Sequence, residues 1–376
     1  MEFRDLKKQY QVLKQDIDNA MQQVAAAGNY IMGGDVAELE QQLAEYVGVK
    51  HCMTCANGTD ALTLALKALG IGKGDAVIVP DFTFFASAEV VALEGATPVF
   101  VDVDPRTFNI DTTSLQAAIN TVEKEGALRM KAVIAVDLFG LPADFAAVKK
   151  IAKQHGLYII EDGAQGFGGR APQGIACGLG DISTTSFFPA KPMGCYGDGG
   201  AVFTDNDEWA DLVRSFRVHG KGSNKYDNVR IGMNSRLDTM QAAILKVKLK
   251  AFKEYEFDAV NHVAEHYTQL ITNHSSYVIT PYIPDGYMSS WAQYTLQLAD
   301  ASHRTELQAR MKEAGVPTMV YYPTPMSMQT AFKGLHAYVD TPNARHLSQC
   351  VLSLPMHPYL TDEEIARVVE CLFKFK

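Results

Sequence analysis

Three short strings in this 376-residue sequence combine residue types that could share one reaction. The first is Ser186-Phe187-Phe188-Pro189-Ala190-Lys191, followed by Gly194-Cys195-Tyr196-Gly197-Asp198-Gly199-Gly200. The six residues before Lys191 carry no charge. Desolvation in such a setting lowers a lysine pKa, and only the neutral amine can form a Schiff base. The second string is Glu161-Asp162-Gly163-Ala164-Gln165, at the end of an apolar run. A carboxylate there can hold a cation, a ribose hydroxyl or a protonated ring nitrogen, or it can simply end a strand in a turn. The third is Ala56-Asn57-Gly58-Thr59-Asp60, which leads into the strong helix former Ala61-Leu62-Thr63-Leu64-Ala65-Leu66. Small residues and a hydroxyl at a helix N-terminus offer backbone N–H groups to an anion. Taken alone, the same string is an ordinary N-cap.

One cofactor would use all three. Pyridoxal 5′-phosphate needs a lysine for its aldehyde, an acid facing its pyridine nitrogen and an anion cradle for its phosphate. The acid keeps the ring nitrogen protonated, so that the ring can accept the electrons of a substrate carbanion. An aromatic ring commonly covers one face of such a cofactor. Asp81-Phe82-Thr83-Phe84-Phe85 follows another apolar run and offers Phe84 for stacking, although these phenylalanines suit a core equally well.

Other strings carry less. A nicotinamide-binding domain needs its glycine fingerprint directly after the first strand, whereas Gly70-Ile71-Gly72-Lys73-Gly74-Asp75 precedes the strand and reads as a turn. No Walker A sequence is present. Cys52 and Cys55 form a C-x-x-C without a second ligand pair, and six cysteines are too sparse for a disulfide scaffold. They read as reduced thiols beside a strand. His262 and His266 have the i, i+4 spacing of two metal ligands, with Glu265 beside them, but the H-E-x-x-H order is absent. Their long charged segment reads as a solvated helix face, and no metal is expected.

The elements that must position these residues form a regular series. Ala76–Pro80, Pro98–Val103, Ala132–Asp137 and Leu157–Asp162 are apolar runs separated by helical patterns such as Ala143–His155. That alternation predicts a largely parallel sheet with helices on both faces. In such sheets ligands bind outside the carboxyl ends of the strands. Residues 1–75 read mostly helical. Shorter strands follow over Ile182–Phe188 and Gly200–Thr204, then a long helix from about Leu237 to Leu270. A boundary within that helix gives a large domain over residues 1–250 and a small one over 251–376. Lysine and arginine total 34 against 43 aspartates and glutamates, a formal charge of −9 that argues against a generic nucleic-acid binder. The charged start of the chain and the lack of an uninterrupted apolar stretch suggest a cytoplasmic protein.

At these residues the sequence resembles the DegT/StrS family of sugar-nucleotide aminotransferases, of the type I (aspartate aminotransferase-like) pyridoxal-phosphate fold. The likeness runs from Phe3-Arg4-Asp5-Leu6 to Leu354-Pro355-Met356-His357-Pro358-Tyr359-Leu360, and includes Gly232-Met233-Asn234-Ser235-Arg236-Leu237-Asp238. It implies an α/β fold, with a mostly parallel seven-stranded sheet in the large domain and a smaller C-terminal α/β domain. By resemblance, Lys191 holds the cofactor, Asp162 faces the pyridine nitrogen, Gln165 packs near the ring and Phe84 stacks on it. Gly58, Thr59 and Ser186 hold the phosphate. Asn234 is similar to a residue that reaches the phosphate from the other subunit, which implies a homodimer with shared sites. Arg236 would meet a carboxylate, bidentately, and Tyr322 would lie on the substrate side. The implied reaction moves an amino group from L-glutamate to a UDP-linked 3-keto sugar acid. Alternatives are a 3- or 4-keto-6-deoxy sugar nucleotide, or a non-catalytic cofactor-binding regulator. One departure stands out: Tyr321-Tyr322-Pro323 replaces the family's frequent His-Tyr-Pro, so Tyr321 cannot supply a histidine's proton chemistry.

Overall fold

The computed structural model describes residues 1–224, 226–273 and 277–373. The chain enters the central sheet at β1 (His51–Cys55) and continues through β2 (Asp75–Pro80), β3 (Thr97–Val101) and β4 (Arg129–Val136). Each of these is followed by a helix: Gly58–Ala68, Ala86–Leu93, Thr112–Glu125 and Phe145–His155. After β5 (Tyr158–Asp162), a small ribbon of β6 (Arg170–Ala171) and β7 (Gly174–Ile175) leads to β8 (Ile182–Ser186) and β9 (Gly200–Thr204). The seven long strands lie in the order β1-β9-β8-β5-β4-β2-β3. Only β9 runs against its neighbours. The apolar runs fill both faces, as sheets covered by helices on each side require.

Register then assembles the site. Gly200 pairs with Cys55 on one side and with Ser186 on the other, while Asp162 pairs with Thr184, two residues before Ser186. Because β9 is antiparallel, its first residue lies at the carboxyl ends of β1 and β8. A Cβ on Gly200 would lie 2.4 Å from the Asn57 carbonyl oxygen, so only glycine lets the two backbones approach this closely.

The predicted long helix is interrupted. Thr239–Ala251 gives way to a π-turn over Phe252–Glu256 before Phe257–Thr272 continues. The first part packs Ile244 and Ala251 on Leu13 and Ile17 of the N-terminal helix Leu6–Ala27. The second part packs Val260, Val263 and Tyr267 on a second sheet, formed by β10 (Val278–Ile279), β11 (Tyr294–Leu298) and β12 (Val351–Leu354). Residues near the C-terminus cross back, for Met326, Phe332, Ala344 and Leu347 join the core around Val79 and Phe82. Strand β1 lies within a region read as mostly helical and contains Cys52 and Cys55, the two thiols read as lying beside a strand. Its partner β9 lies some 150 residues on, so no local repeat marks it. Among the described residues no helix is long and apolar enough to cross a membrane.

Glu161, adjacent to the candidate acid, proves structural. Its carboxylate accepts the Cys177, Leu179 and Gly180 amides at 2.6, 2.7 and 3.0 Å and the Ser183 hydroxyl at 2.6 Å. Glu161→Ala leaves several buried donors unpaired, each costing about 1–3 kcal/mol. Chemical denaturation should therefore show a loss of roughly 3 kcal/mol or more.

Candidate active site

Lys191 sits in the loop between β8 and β9. The loop is closed at its base by the Phe187 N–H donating to Gly199 O at 2.7 Å and the Cys195 N–H donating to Phe187 O at 2.8 Å. The side chain is partly buried. Burial pushes its amine down to about 8, opposed by the Asp162 charge and reinforced by Arg4. Near pH 8 about half of the molecules then carry a neutral amine, against roughly 0.3 % for a lysine at 10.5.

Asp162 ends β5 and is buried. One carboxylate oxygen accepts the Ser87 hydroxyl at 2.7 Å and the other the Ala164 amide at 3.2 Å. Burial pushes the carboxyl up, while these two bonds and the Lys191 charge hold it down. Gln165 is locked at both ends: its oxygen accepts the Phe139 amide at 2.7 Å and its nitrogen donates to the Tyr322 hydroxyl at 2.9 Å. Burial raises the Tyr322 phenol pKa, so this group stays neutral.

The three phenylalanines of the 81–85 string part company. Phe82 is buried against Phe108 and Phe139, and Phe85 packs on Phe332 at 5.3 Å. Phe84 is 53 % exposed, with its ring 6.1 Å from that of Tyr322. An exposed phenylalanine beside a buried, hydrogen-bonded tyrosine is suited to covering a flat ligand.

At the candidate anion cradle, Asn57 caps its helix by accepting the Asp60 amide at 2.8 Å. Gly58 and Thr59 occupy the first turn, where amides have no intrahelical partner. A Cβ on Gly58 would lie 2.7 Å from the Ser186 Cβ, so this glycine lets β8 and the helix N-terminus converge. The arrangement fits pyridoxal 5′-phosphate. It offers a desolvated amine, a buried carboxylate that a cationic ring nitrogen would stabilise, and an open first turn narrowed by glycine.

Asn234 and Arg236 stand apart. Asn234 is exposed and bridges Val218. Arg236 lines an open hollow with His219, Lys221 and Arg230. Neither is hydrogen-bonded to Lys191, Asp162 or Gln165. Their segment is nonetheless tied to the cradle, because Ser235 Oγ accepts the Ala56 amide at 3.1 Å. Tyr321 rests edge-on against Phe3, a packing role.

Sequence reading missed several supports. Ser87 holds the acid. Arg4 donates to the Lys191 carbonyl at 2.9 Å, and the buried Lys248 donates to the Gly194 carbonyl. Glu256 balances these cations and is itself held by Gln9 at 2.9 Å and by the Tyr359 hydroxyl. In the sequence these groups appear only as separate charges at Arg4, Lys248 and Glu256, with no spacing that ties them together.

The model of the DegT/DnrJ/EryC1/StrS aminotransferase family matches residues 11–373. The chain is 46 % identical, over 99 % of both lengths, to the UDP-2-acetamido-2-deoxy-3-oxo-D-glucuronate aminotransferase of Pseudomonas aeruginosa. It is 43 % identical to a pleiotropic regulatory protein of Geobacillus stearothermophilus, over 99 % of this chain and 97 % of the relative. Relatives named for dTDP- and GDP-sugars follow at 34–35 %. A crystal structure of a DegT/DnrJ/EryC1/StrS aminotransferase from Brucella abortus superposes with a TM-score of 0.96 at 46 % identity, covering 100 % of this chain and 99 % of that one. Fold and likeness together define a pyridoxal-phosphate-dependent sugar-nucleotide aminotransferase of the type I fold. The chain belongs to the DegT/DnrJ/EryC1/StrS family.

Two outcomes follow from the geometry. At pH 8, pyridoxal 5′-phosphate followed by borohydride should label Lys191 ahead of the other lysines, read by peptide mass; Lys191→Ala should lose that label. Ser87→Ala removes a hydrogen bond to a charged group worth about 1.5–3 kcal/mol. Titration should show cofactor affinity weakened by roughly tenfold or more, with partial rescue by Ser87→Thr.

Proposed function

We propose that this protein moves an amino group from L-glutamate to the 3-keto carbon of a UDP-2-acetamido-2-deoxy-3-oxo-glucuronate-type nucleotide sugar. The product would serve surface-polysaccharide biosynthesis, as in lipopolysaccharide O-antigen, in the cytoplasm. The observation that carries the substrate is the 46 % identity, end to end, with the Pseudomonas enzyme of that name. The observation that supports the chemistry is the desolvated Lys191 amine beside the buried Asp162.

When bound, pyridoxal 5′-phosphate supplies an electron sink for the substrate α-carbon. The rest falls to this chain's residues. Gly58, Thr59 and Ser186 bind the phosphate. Asp162, held by Ser87, keeps a positive charge favourable at the ring nitrogen. Gln165 and Phe84 fix the ring's position. Lys191 would hold the cofactor, and its neutral amine would serve as the base that takes the proton from the glutamate α-carbon, leaving an ammonium group that can return a proton later in the transfer. Tyr322 meets the substrate through its neutral hydroxyl. Arg236 binds a carboxylate of glutamate or of the uronate.

Two copies related by a two-fold axis would bring each Asn234 and Arg236 to the other copy's site. The exposure of Asn234, and its lack of a bond to the cluster around Lys191, support this arrangement. Division into a large domain over 1–250 and a small one over 251–376 accords with the change of packing partners at the π-turn. A regulatory role without catalysis is the second reading, favoured by the Geobacillus relative's name.

Incubation with glutamate and a panel of keto nucleotide sugars tests the reading. 2-Oxoglutarate should form fastest with the UDP-linked 3-oxo uronate. A faster reaction with a dTDP-linked 6-deoxy ketosugar overturns the substrate, and no turnover with any member favours the regulator. Mixing Lys191→Ala subunits with Asn234→Ala subunits tests the shared site. A heterodimer would carry one site with both defects and one with neither, recovering up to about half of wild-type dimer activity. Absence of recovery despite proven exchange and an impaired Asn234→Ala parent would place Asn234 in its own subunit's site.

A further inference from the structure

We propose that His262, His266 and Asp362 form a surface site for a divalent transition-metal ion of the zinc class, far along the chain from the catalytic strings. The two histidines lie one turn apart on the helix Phe257–Thr272, which places both imidazoles on one face. That spacing alone fits a solvated face equally well. The fold adds a third ligand from another element, because Asp362 opens the helix Asp362–Phe373 directly opposite the pair.

The distances suit one ion. The Asp362 carboxylate oxygen lies 2.9 Å from His266 Nδ1, a hydrogen bond that a bound ion would replace, and 3.6 Å from His262 Nε2. The three candidate ligand atoms all fall within 4.8 Å of one another. A tetrahedral zinc ion with bonds of about 2.0–2.1 Å holds its ligands roughly 3.4 Å apart. The two carboxylate distances bracket that value, and the two imidazole nitrogens lie within 4.8 Å of each other, so side-chain rotation closes the set on an ion. His262 and Asp362 are 69 % and 65 % exposed at the side chain, so the ion has a path in and water can complete the shell.

The frame behind the ligands is rigid. Val263 and Tyr267 on one helix and Ile365 and Val369 on the other share the small-domain core. Thr361 and Glu364 cap the second helix reciprocally: the Thr361 amide donates to the Glu364 carboxylate at 3.1 Å, and the Glu364 amide to Thr361 Oγ1 at 3.3 Å. This fixes the backbone that carries Asp362. Two imidazoles and one carboxylate suit zinc, nickel or copper, and do not suit magnesium, which prefers an octahedral shell of oxygens. A bound ion would tie the two helices together and stabilise the folded chain in proportion to its occupancy.

The test uses the untagged full chain, cleared of metal by a chelator and titrated calorimetrically with zinc chloride. One equivalent should bind, magnesium chloride should give no signal, and zinc should raise the melting temperature. His262→Ala, a change at an exposed position, should weaken binding by at least about tenfold, the scale on which even indirect ligand support acts. The double variant His262→Ala/His266→Ala should bind no zinc at this stoichiometry and show no melting shift. Wild-type protein that takes up no zinc, or a double variant that binds it as tightly as wild type, overturns the proposal.

Discussion

Gly200 faces Cys55 on one side and Ser186 on the other, and there is no room between it and Asn57 for even a methyl group. Everything at the carboxyl edge of the sheet depends on that contact. It draws the helix that begins at Gly58 against the end of β8, so that an open helix N-terminus and the lysine loop arise from one junction. A one-residue slip in β9 would turn every one of its side chains to the opposite face. Gly58 repeats the constraint against Ser186. Two glycines thus achieve a convergence that no pair of larger residues could.

Electrostatics builds on that frame. The carboxylate at the end of β5 and the amine of the lysine loop are both taken from water, which disfavours the charged form of each. Mutual attraction offsets part of that cost. The balance leaves the Lys191 amine neutral in about half of the molecules near pH 8 and leaves Asp162 suited to a cationic partner. Ser87 orients the acid, while Arg4 and Lys248 hold the carbonyls of the lysine loop from below. The site is therefore supported by the N-terminal segment, by the helix after β2 and by the helix Thr239–Ala251 together.

The C-terminal part obeys a different logic. Its three-stranded sheet buries one face on the helices Phe257–Thr272 and Asp362–Phe373. It returns Tyr322 to the large sheet's edge, where Gln165 and Phe84 meet it. The histidine pair faces away from that core and owes its third neighbour to the packing of two helices.

Local strings in the sequence were enough to mark Lys191, Asp162 and the Asn57–Thr59 turn, because residue type, charge-free surroundings and helix-start chemistry are properties of adjacent residues. They were also enough to mark the parallel strands β2 to β5, since buried strands read as continuous apolar runs. Other features became visible only in three dimensions. Strand β1 is defined by a partner far along the chain. That the core absorbs Phe82 and Phe85 and leaves Phe84 exposed depends on rings brought in from far along the chain. Ser87 reaches Asp162 across 75 residues, Arg4 reaches Lys191 across 187, and Asp362 reaches His266 across 96. Such contacts are set by sheet register and helix packing, which sum many weak burial terms over the whole chain, and no short window of sequence contains that sum.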